Sequence, residues 1–260
     1  MTLWEALLLG FVQGATEFLP VSSSGHLVVG QALLGLEISG VRFEVAVHVA
    51  TLISVLVIYR TRLRDLLGGV IRGDPAARRY LGLLALATAP AAFIGVFYGT
   101  AIKALFENPL VPAMAFLVTG SILWSTRWIR GGQAVRQLGA RGAIFIGLAQ
   151  AFALVPGISR SGSTVAMALW LGVAPVEAAA FSFLMAIPTI GGAALLQLSD
   201  LSSGDPSLST AALVAGSVAA AVTGVVAIRV FVALLARRAF YRFGVYCWVL
   251  GVAFLIYLLV

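Results

Sequence analysis

Six long apolar runs punctuate this chain: Phe43–Tyr59, Tyr80–Thr100, Leu110–Thr126, Ala178–Leu198, Thr210–Leu235 and Phe243–Val260. Each is near the roughly 20 residues that a helix needs to cross a bilayer. The pattern predicts six spanning helices, three in each half. Two other segments, about Leu3–Leu36 and Ala140–Gly172, read differently. Each is two helical stretches broken by Pro and Gly, and the second stretch would reach only roughly 18 Å at 1.5 Å per residue. That is too short to cross. Both are expected to be re-entrant hairpins whose broken tips meet near the midplane, because broken backbone at that depth must be buried in protein or line a wet cavity. On helical spacing Ala6, Gly10, Gln13 and Glu17 share one face, as do Ala143, Gly147 and Gln150. Small and polar stripes of this kind pack inward, away from lipid.

The two broken segments are copies of one another. With Ala6 placed on Ala143, Ala6–Gly35 aligns without a gap on Ala143–Gly172, and Gln13/Gln150, Ser22/Ser159, Ser24/Ser161 and Gly25/Gly162 are among nine identities. Ala, Leu and Gly matches come easily in so apolar a chain. Paired glutamines and two Ser-x-Ser-Gly strings in register do not. A four-residue adjustment then brings Glu44 onto Glu177. The expected organisation is a single membrane domain over 1–260, with a first repeat over 1–130 and a second over 138–260. Three spanning runs per half is an odd number, so the second half must be upside down. The basic loops swap to match: Arg60, Arg62, Arg64, Arg72, Arg78 and Arg79 fill one loop, whereas its counterpart, Ser199–Ser209, has only Asp200 and Asp205. Conversely, Lys103–Leu110 is nearly neutral and its counterpart carries Arg237, Arg238 and Arg242. The fold class expected is therefore all-α and polytopic: an inverted-topology repeat of about ten helices, including two re-entrant pairs.

Composition agrees. The chain is 61% hydrophobic and 10% charged, with mean hydropathy +1.04, where a soluble domain would carry roughly a quarter charged residues. The net charge of +7 does not point to nucleic acid, because the arginines, including Arg127, Arg130, Arg136 and Arg141, sit between apolar runs as cytoplasmic-loop residues do. The lone Cys247 forms no internal disulfide. No basic residue precedes the first apolar stretch, which argues against a cleaved signal peptide. Glu44 and His48, with Thr51 nearby, are expected to make helix–helix hydrogen bonds, Glu177 to cap a helix after Pro175, and the five tryptophans to anchor at the interface.

Chemistry is concentrated in the two breaks. Leu19–His26 reads LPVSSSGH and Val155–Thr164 reads VPGISRSGST. Hydroxyls, free helix N-termini and one cation suit a phosphate-bearing ligand. The differences between the copies point to working parts: Glu17 faces Leu154, Ser23 faces Arg160, and His26 faces Ser163. Burying a glutamate or histidine in a membrane without compensation costs several kcal/mol, so Glu17 and His26 are expected to be functional. The serines, Ser22 to Ser24 and Ser159 to Ser163, serve equally well as helix caps and as anion ligands.

Gly14–His26 (GATEFLPVSSSGH) and Leu154–Thr164 (LVPGISRSGST) resemble the two signature motifs of the bacterial undecaprenyl-pyrophosphate phosphatase (bacitracin-resistance) family, and the resemblance covers essentially the full length. It implies hydrolysis of a polyprenyl diphosphate to the monophosphate and inorganic phosphate in the bacterial plasma (inner) membrane, recycling the cell-wall lipid carrier. It also implies an active site open to the outer face and dependence on a divalent cation. The first motif begins with Glu or Gln followed four residues on by Glu; here these are Gln13 and Glu17, so one carboxylate stands where some relatives have two. A diphosphate brings two to three negative charges, so Mg²⁺ or Ca²⁺ is expected to bridge it, held partly by Glu17 and mostly by substrate oxygens and water. The roles expected are Ser23 as nucleophile, His26 as base and then acid, and Arg160 with Ser159, Ser161 and Thr164 on the transferring phosphoryl group. Ser22, Ser24 and Gln13 complete the substrate-binding set. A water activated by metal or His26 is the rival to Ser23.

The expected partners are the polyprenyl diphosphate and membrane lipids, with a homodimer left open. Outside this class, inverted repeats with broken helices also build transporters, so a polyprenyl-phosphate carrier or flippase, or a dual phosphatase-flippase, is the alternative reading. Such a carrier would gain nothing from Glu17 and His26. A structural scaffold would leave Glu17, His26 and Arg160 unexplained and ranks last. Membrane phosphatases of the vanadium-haloperoxidase type need an upstream Lys-x6-Arg-Pro, which this sequence lacks.

Overall fold

The computed structural model describes residues 1–34, 42–129, 132–197 and 208–259, and those residues are all-helical apart from an isolated bridge between Gln133 and Val173. The twelve α-helices among them are α1 (Leu3–Phe18), α2 (Ser23–Leu34), α3 (Arg42–Ile58), α4 (Arg60–Ile71), α5 (Pro75–Phe97) and α6 (Gly99–Glu107). The rest are α7 (Leu110–Ser125), α8 (Ala140–Phe152), α9 (Arg160–Trp170), α10 (Pro175–Leu196), α11 (Thr210–Ala236) and α12 (Phe243–Leu259). Local chemistry sets several starts. Thr2 and Glu5 exchange side-chain bonds with each other's backbone N–H at the head of α1. Asp74 caps α5 ahead of Pro75, and Ser209 caps α11.

Each of the six expected spans coincides with a helix. Five elements are long and apolar enough to cross a membrane: Pro75–Phe97, Leu110–Trp128, Pro175–Leu196, Thr210–Ala236 and Phe240–Leu259. The sixth, α3, qualifies together with α4, from which it is bent by 76°. The chain is a multi-pass, all-α membrane protein. The helix count exceeds the expected ten because two loops are helical. In α4, Leu63 and Leu66 recur at helical spacing between the arginines and pack against the core. The other addition is α6, nine residues with none buried. Gly35, Leu36, Arg130, Leu198, Ser199, Asp200, Asp205 and Val260 lie outside the described residues, as does the Arg136 side chain.

Small residues let the backbones touch. A Cβ on Gly10 would lie 2.2 Å from the Gly216 carbonyl oxygen and one on Gly14 2.3 Å from that of Ala220, so α1 lies directly along α11. Reciprocally, α8 of the second half lies along α5 of the first, where a Cβ on Gly147 would meet the Ala87 oxygen at 2.6 Å. The stripes Ala6–Gly10–Gln13–Glu17 and Ala143–Gly147–Gln150 are buried throughout. Val214, Val218, Val222, Val226 and Val230 run down the opposite, exposed side of α11 at four-residue spacing, as expected of a face turned to lipid.

Glu177, expected as a cap, lies in the first turn of α10 and ties helices together. Its carboxylate receives both guanidinium N–H groups of Arg62, at 2.9 and 2.8 Å, and Arg62 also donates to the Tyr80 hydroxyl. This fork ties α4 and α5 to α10.

Candidate active site

The break between α1 and α2 is four residues, Leu19 to Ser22. Leu19 is extended, and Ser22 takes the left-handed conformation at φ +67°, which costs a non-glycine residue about 1–2 kcal/mol. What holds it there is a local network. The Ser22 carbonyl accepts the His26 N–H at 3.2 Å and lies 2.7 Å from His26 Nδ1, while Ser22 Oγ accepts the Gly25 N–H at 3.4 Å. Ser23 then opens α2.

The break between α8 and α9 solves the same problem differently. Glycine takes the left-handed position, Gly157 at φ +91°, and Ser159 caps α9 by accepting the Gly162 N–H. Thr119 of α7 clasps this loop, donating to the Gly157 carbonyl at 2.8 Å and accepting the Ser159 N–H at 3.1 Å.

The two tips touch. Ser161 Oγ donates to the Leu19 carbonyl at 3.1 Å, and a Cβ on Gly25 would lie 3.0 Å from Gly157 Cα. The centre of the contact is Glu17. Its Oε1 accepts from Arg160 Nη2 at 2.6 Å; its Oε2 accepts from Ser23 Oγ at 2.6 Å and from Gln13 Nε2 at 3.1 Å. His48 Nε2 stands 3.7 Å from the same Oε2. One carboxylate thus joins the hydroxyl of the first tip to the guanidinium of the second. Arg160 is steadied at its other end by donating to the Ser182 carbonyl, and Thr164 bonds Ser182 Oγ and the Arg160 carbonyl.

Of the residues predicted from sequence, Gln13, Glu17, Ser23 and Arg160 converge on one point. Ser22 and Ser24 pair at 3.3 Å in the first tip, and Ser159 and Ser161 pair at 3.3 Å in the second. Ser159 and Thr164 are turned into helix-capping and α10 contacts, so they shape the tip from behind. His26 is placed differently from the base expected at Ser23. Its Nδ1 faces the Ser22 carbonyl and its Nε2 the Tyr246 hydroxyl at 2.8 Å. The group on the Ser23 hydroxyl is Glu17.

Glu44 makes the helix–helix bond expected of it, accepting from Gln31 of α2, and Thr51 Oγ1 donates to the His48 carbonyl within α3. His48 itself reaches the Glu17 cluster. Tyr246, Thr119 and Ser182 were not legible as site residues; each lies far along the chain from the atom it serves.

Among the described residues no three His, Cys, Asp or Glu side chains converge to hold a metal ion. Glu17 is the carboxylate available, and beside it Gln13 Oε1 is buried without a partner. Two oxygen donors suit a hard divalent cation that takes most of its ligands from phosphate and water, not an all-protein cage.

The family model for bacitracin resistance protein BacA matches residues 6–253 of this chain. A protein of Alcanivorax borkumensis named undecaprenyl-diphosphatase is 42% identical over 264 residues, covering 99% of this chain and all of its own. Proteins of the same name from Syntrophotalea carbinolica and Elusimicrobium minutum are each 41% identical, covering 96% and 98% of this chain and 97% and 98% of their own.

Proposed function

Since the chain belongs to the bacitracin resistance protein BacA family, we propose that the Glu17 cluster is its catalytic centre. The protein is an integral-membrane hydrolase that converts undecaprenyl diphosphate to the monophosphate and inorganic phosphate, recycling the cell-wall lipid carrier. The observation that carries the site assignment is the shared carboxylate, with Ser23 on one oxygen and Arg160 on the other, each at 2.6 Å.

In this mechanism Ser23 Oγ attacks the terminal phosphorus and its proton passes to Glu17 Oε2. A Ser–O–P bond forms, the bridging P–O bond breaks, and the polyprenyl monophosphate departs with the bonding electrons. Arg160 turns from Glu17 to the phosphoryl oxygens, where a planar fork matches two of them, and the Ser22 and Ser24 hydroxyls of the first tip and the N-termini of α2 and α9 add donors. A water then attacks the phosphoserine. Oγ leaves, recovering the proton held on Glu17, and the water's proton goes to His26, three residues along the same face of α2. Glu17, with the Gln13 amide oxygen beside it, would hold a divalent cation, Mg²⁺ or Ca²⁺, which when bound would neutralise diphosphate charge.

Loop charge supports a bacterial plasma-membrane orientation with the basic Arg60–Arg79 loop inside, and the family resemblance implies a site open to the outer face. The matched packing of α1 on α11 and α8 on α5 supports reading 1–130 and 138–260 as inverted copies.

The test is to quench turnover of polyprenyl diphosphate labelled in its terminal phosphate and look for label on the protein. Wild type should retain labelled phosphoserine and Ser23→Ala none. Full phosphate release by Ser23→Ala would sink the seryl route and leave direct attack by water.

A further inference from the structure

We infer that Tyr246 is a positioning residue of this site, holding the His26 imidazole in one tautomer and one orientation. The inference rests on the reading of His26 as a working residue. The Ser22 carbonyl can only accept, so Nδ1, at 2.7 Å from it, carries a proton. In the neutral ring Nε2 is then a lone pair, and the group facing it at 2.8 Å is the Tyr246 hydroxyl, which must donate. The two ring planes lie 3° apart with centroids at 5.7 Å, and Phe116 of α7 stands edge-on to the imidazole at 5.3 Å and 86°. Two hydrogen bonds fix the ring's rotation, and the Phe116 ring packs against it edge-on.

The arrangement also explains where the ring does not point. Neither nitrogen is free to reach Ser23 while Ser22 and Tyr246 hold them, so the first proton transfer falls to Glu17. Nε2 becomes available only when its phenol partner is exchanged for another group, such as a phosphate oxygen or water. Tyr246 is thereby a placeholder: it keeps the nitrogen aimed along one line, and it is itself 47% exposed near the start of α12. The same region is anchored to the first tip, because Cys247 Sγ lies 3.8 Å from the Pro20 carbonyl.

The experiment is a double-mutant cycle on phosphate release from polyprenyl diphosphate in detergent, using Tyr246→Phe, His26→Ala and the pair. Phenylalanine keeps the ring and its packing and removes one hydrogen bond. Tyr246→Phe should lower kcat by up to about tenfold, the scale of one net hydrogen bond, with KM nearly unchanged. In the His26→Ala background the same change should have no further effect. Equal losses in both backgrounds, or wild-type kcat in Tyr246→Phe, would overturn the role of Tyr246. Wild-type kcat in His26→Ala would instead overturn the reading of His26 on which it rests.

Discussion

Ser22 and Ser159 hold the same register in the two tips, yet the first sits at φ +67° and the second at −75°. In the second tip the awkward conformation falls on Gly157, the serine caps its helix at 3.1 Å, and Thr119 clasps the loop from α7. The first tip puts the strain on a serine, directly before the proposed nucleophile, and relies on His26 and Gly25 for support. The contrast continues one turn back. Gln13 bonds Glu17, whereas Gln150, with Leu154 in place of the acid, has both amide atoms buried and unpartnered. The duplicated string therefore does different work in each half. The second copy is a relaxed mount for one guanidinium, and the first concentrates strain and charge around the proposed nucleophile.

Substitutions can separate these two roles. Glu17→Gln keeps the volume and removes the charge proposed to receive the Ser23 proton. Phosphate release should fall about 100- to 10,000-fold, the range for losing a positioned base. Arg160→Ala leaves Glu17 buried with its cation gone and should cost about 3–5 kcal/mol of stability as well as activity. Arg160→Lys should fold better but still release phosphate poorly, since an ammonium cannot match the fork. Gly157→Ala puts a Cβ 2.6 Å from the Pro112 carbonyl at a positive φ, and a loss of about 3 kcal/mol or more is expected from the clash and strain together.

Smaller effects sharpen the difference between the glutamines. Gln150→Leu removes an amide that has no partner and should raise stability by about 1 kcal/mol. Gln13→Leu should lower stability and phosphate release together. Equal responses at the two positions would erase the asymmetry. Ser22→Gly should relieve about 1 kcal/mol of left-handed strain, read as a higher thermal midpoint in detergent. Ser22→Ala should show no such gain.

The six spans and both broken segments were legible because each writes its period and its breakers into contiguous residues. Gln13, Glu17, Ser23 and Arg160 stood out because the repeat supplied an internal control, one copy set against the other. The loop at Arg60–Ile71 hid a helix: its arginines mask the apolar spacing of Leu63 and Leu66, which registers only once the core they pack on is present. His48 was visible as a polar residue in an apolar helix, but its partner Glu17 belongs to another helix, and nothing local signals such a meeting. Tyr246 is harder still. It lies 220 positions from His26 in a run of apolar and aromatic residues where a tyrosine is unremarked. Pairings of this length are decided by how helices cross, which a linear pattern does not encode.

The bond between Glu17 and Arg160 spans 143 positions of chain, and that distance is also a delay. At ribosomal speeds of about 5–20 residues per second, roughly 7–30 s pass between synthesis of the acid and synthesis of its counter-ion. Throughout that interval the nascent first hairpin holds this acid without its guanidinium partner, so it has reason to wait at a wet boundary until the second hairpin arrives to admit it. Assembly of the catalytic centre and closure of the fold then become one late event in biogenesis.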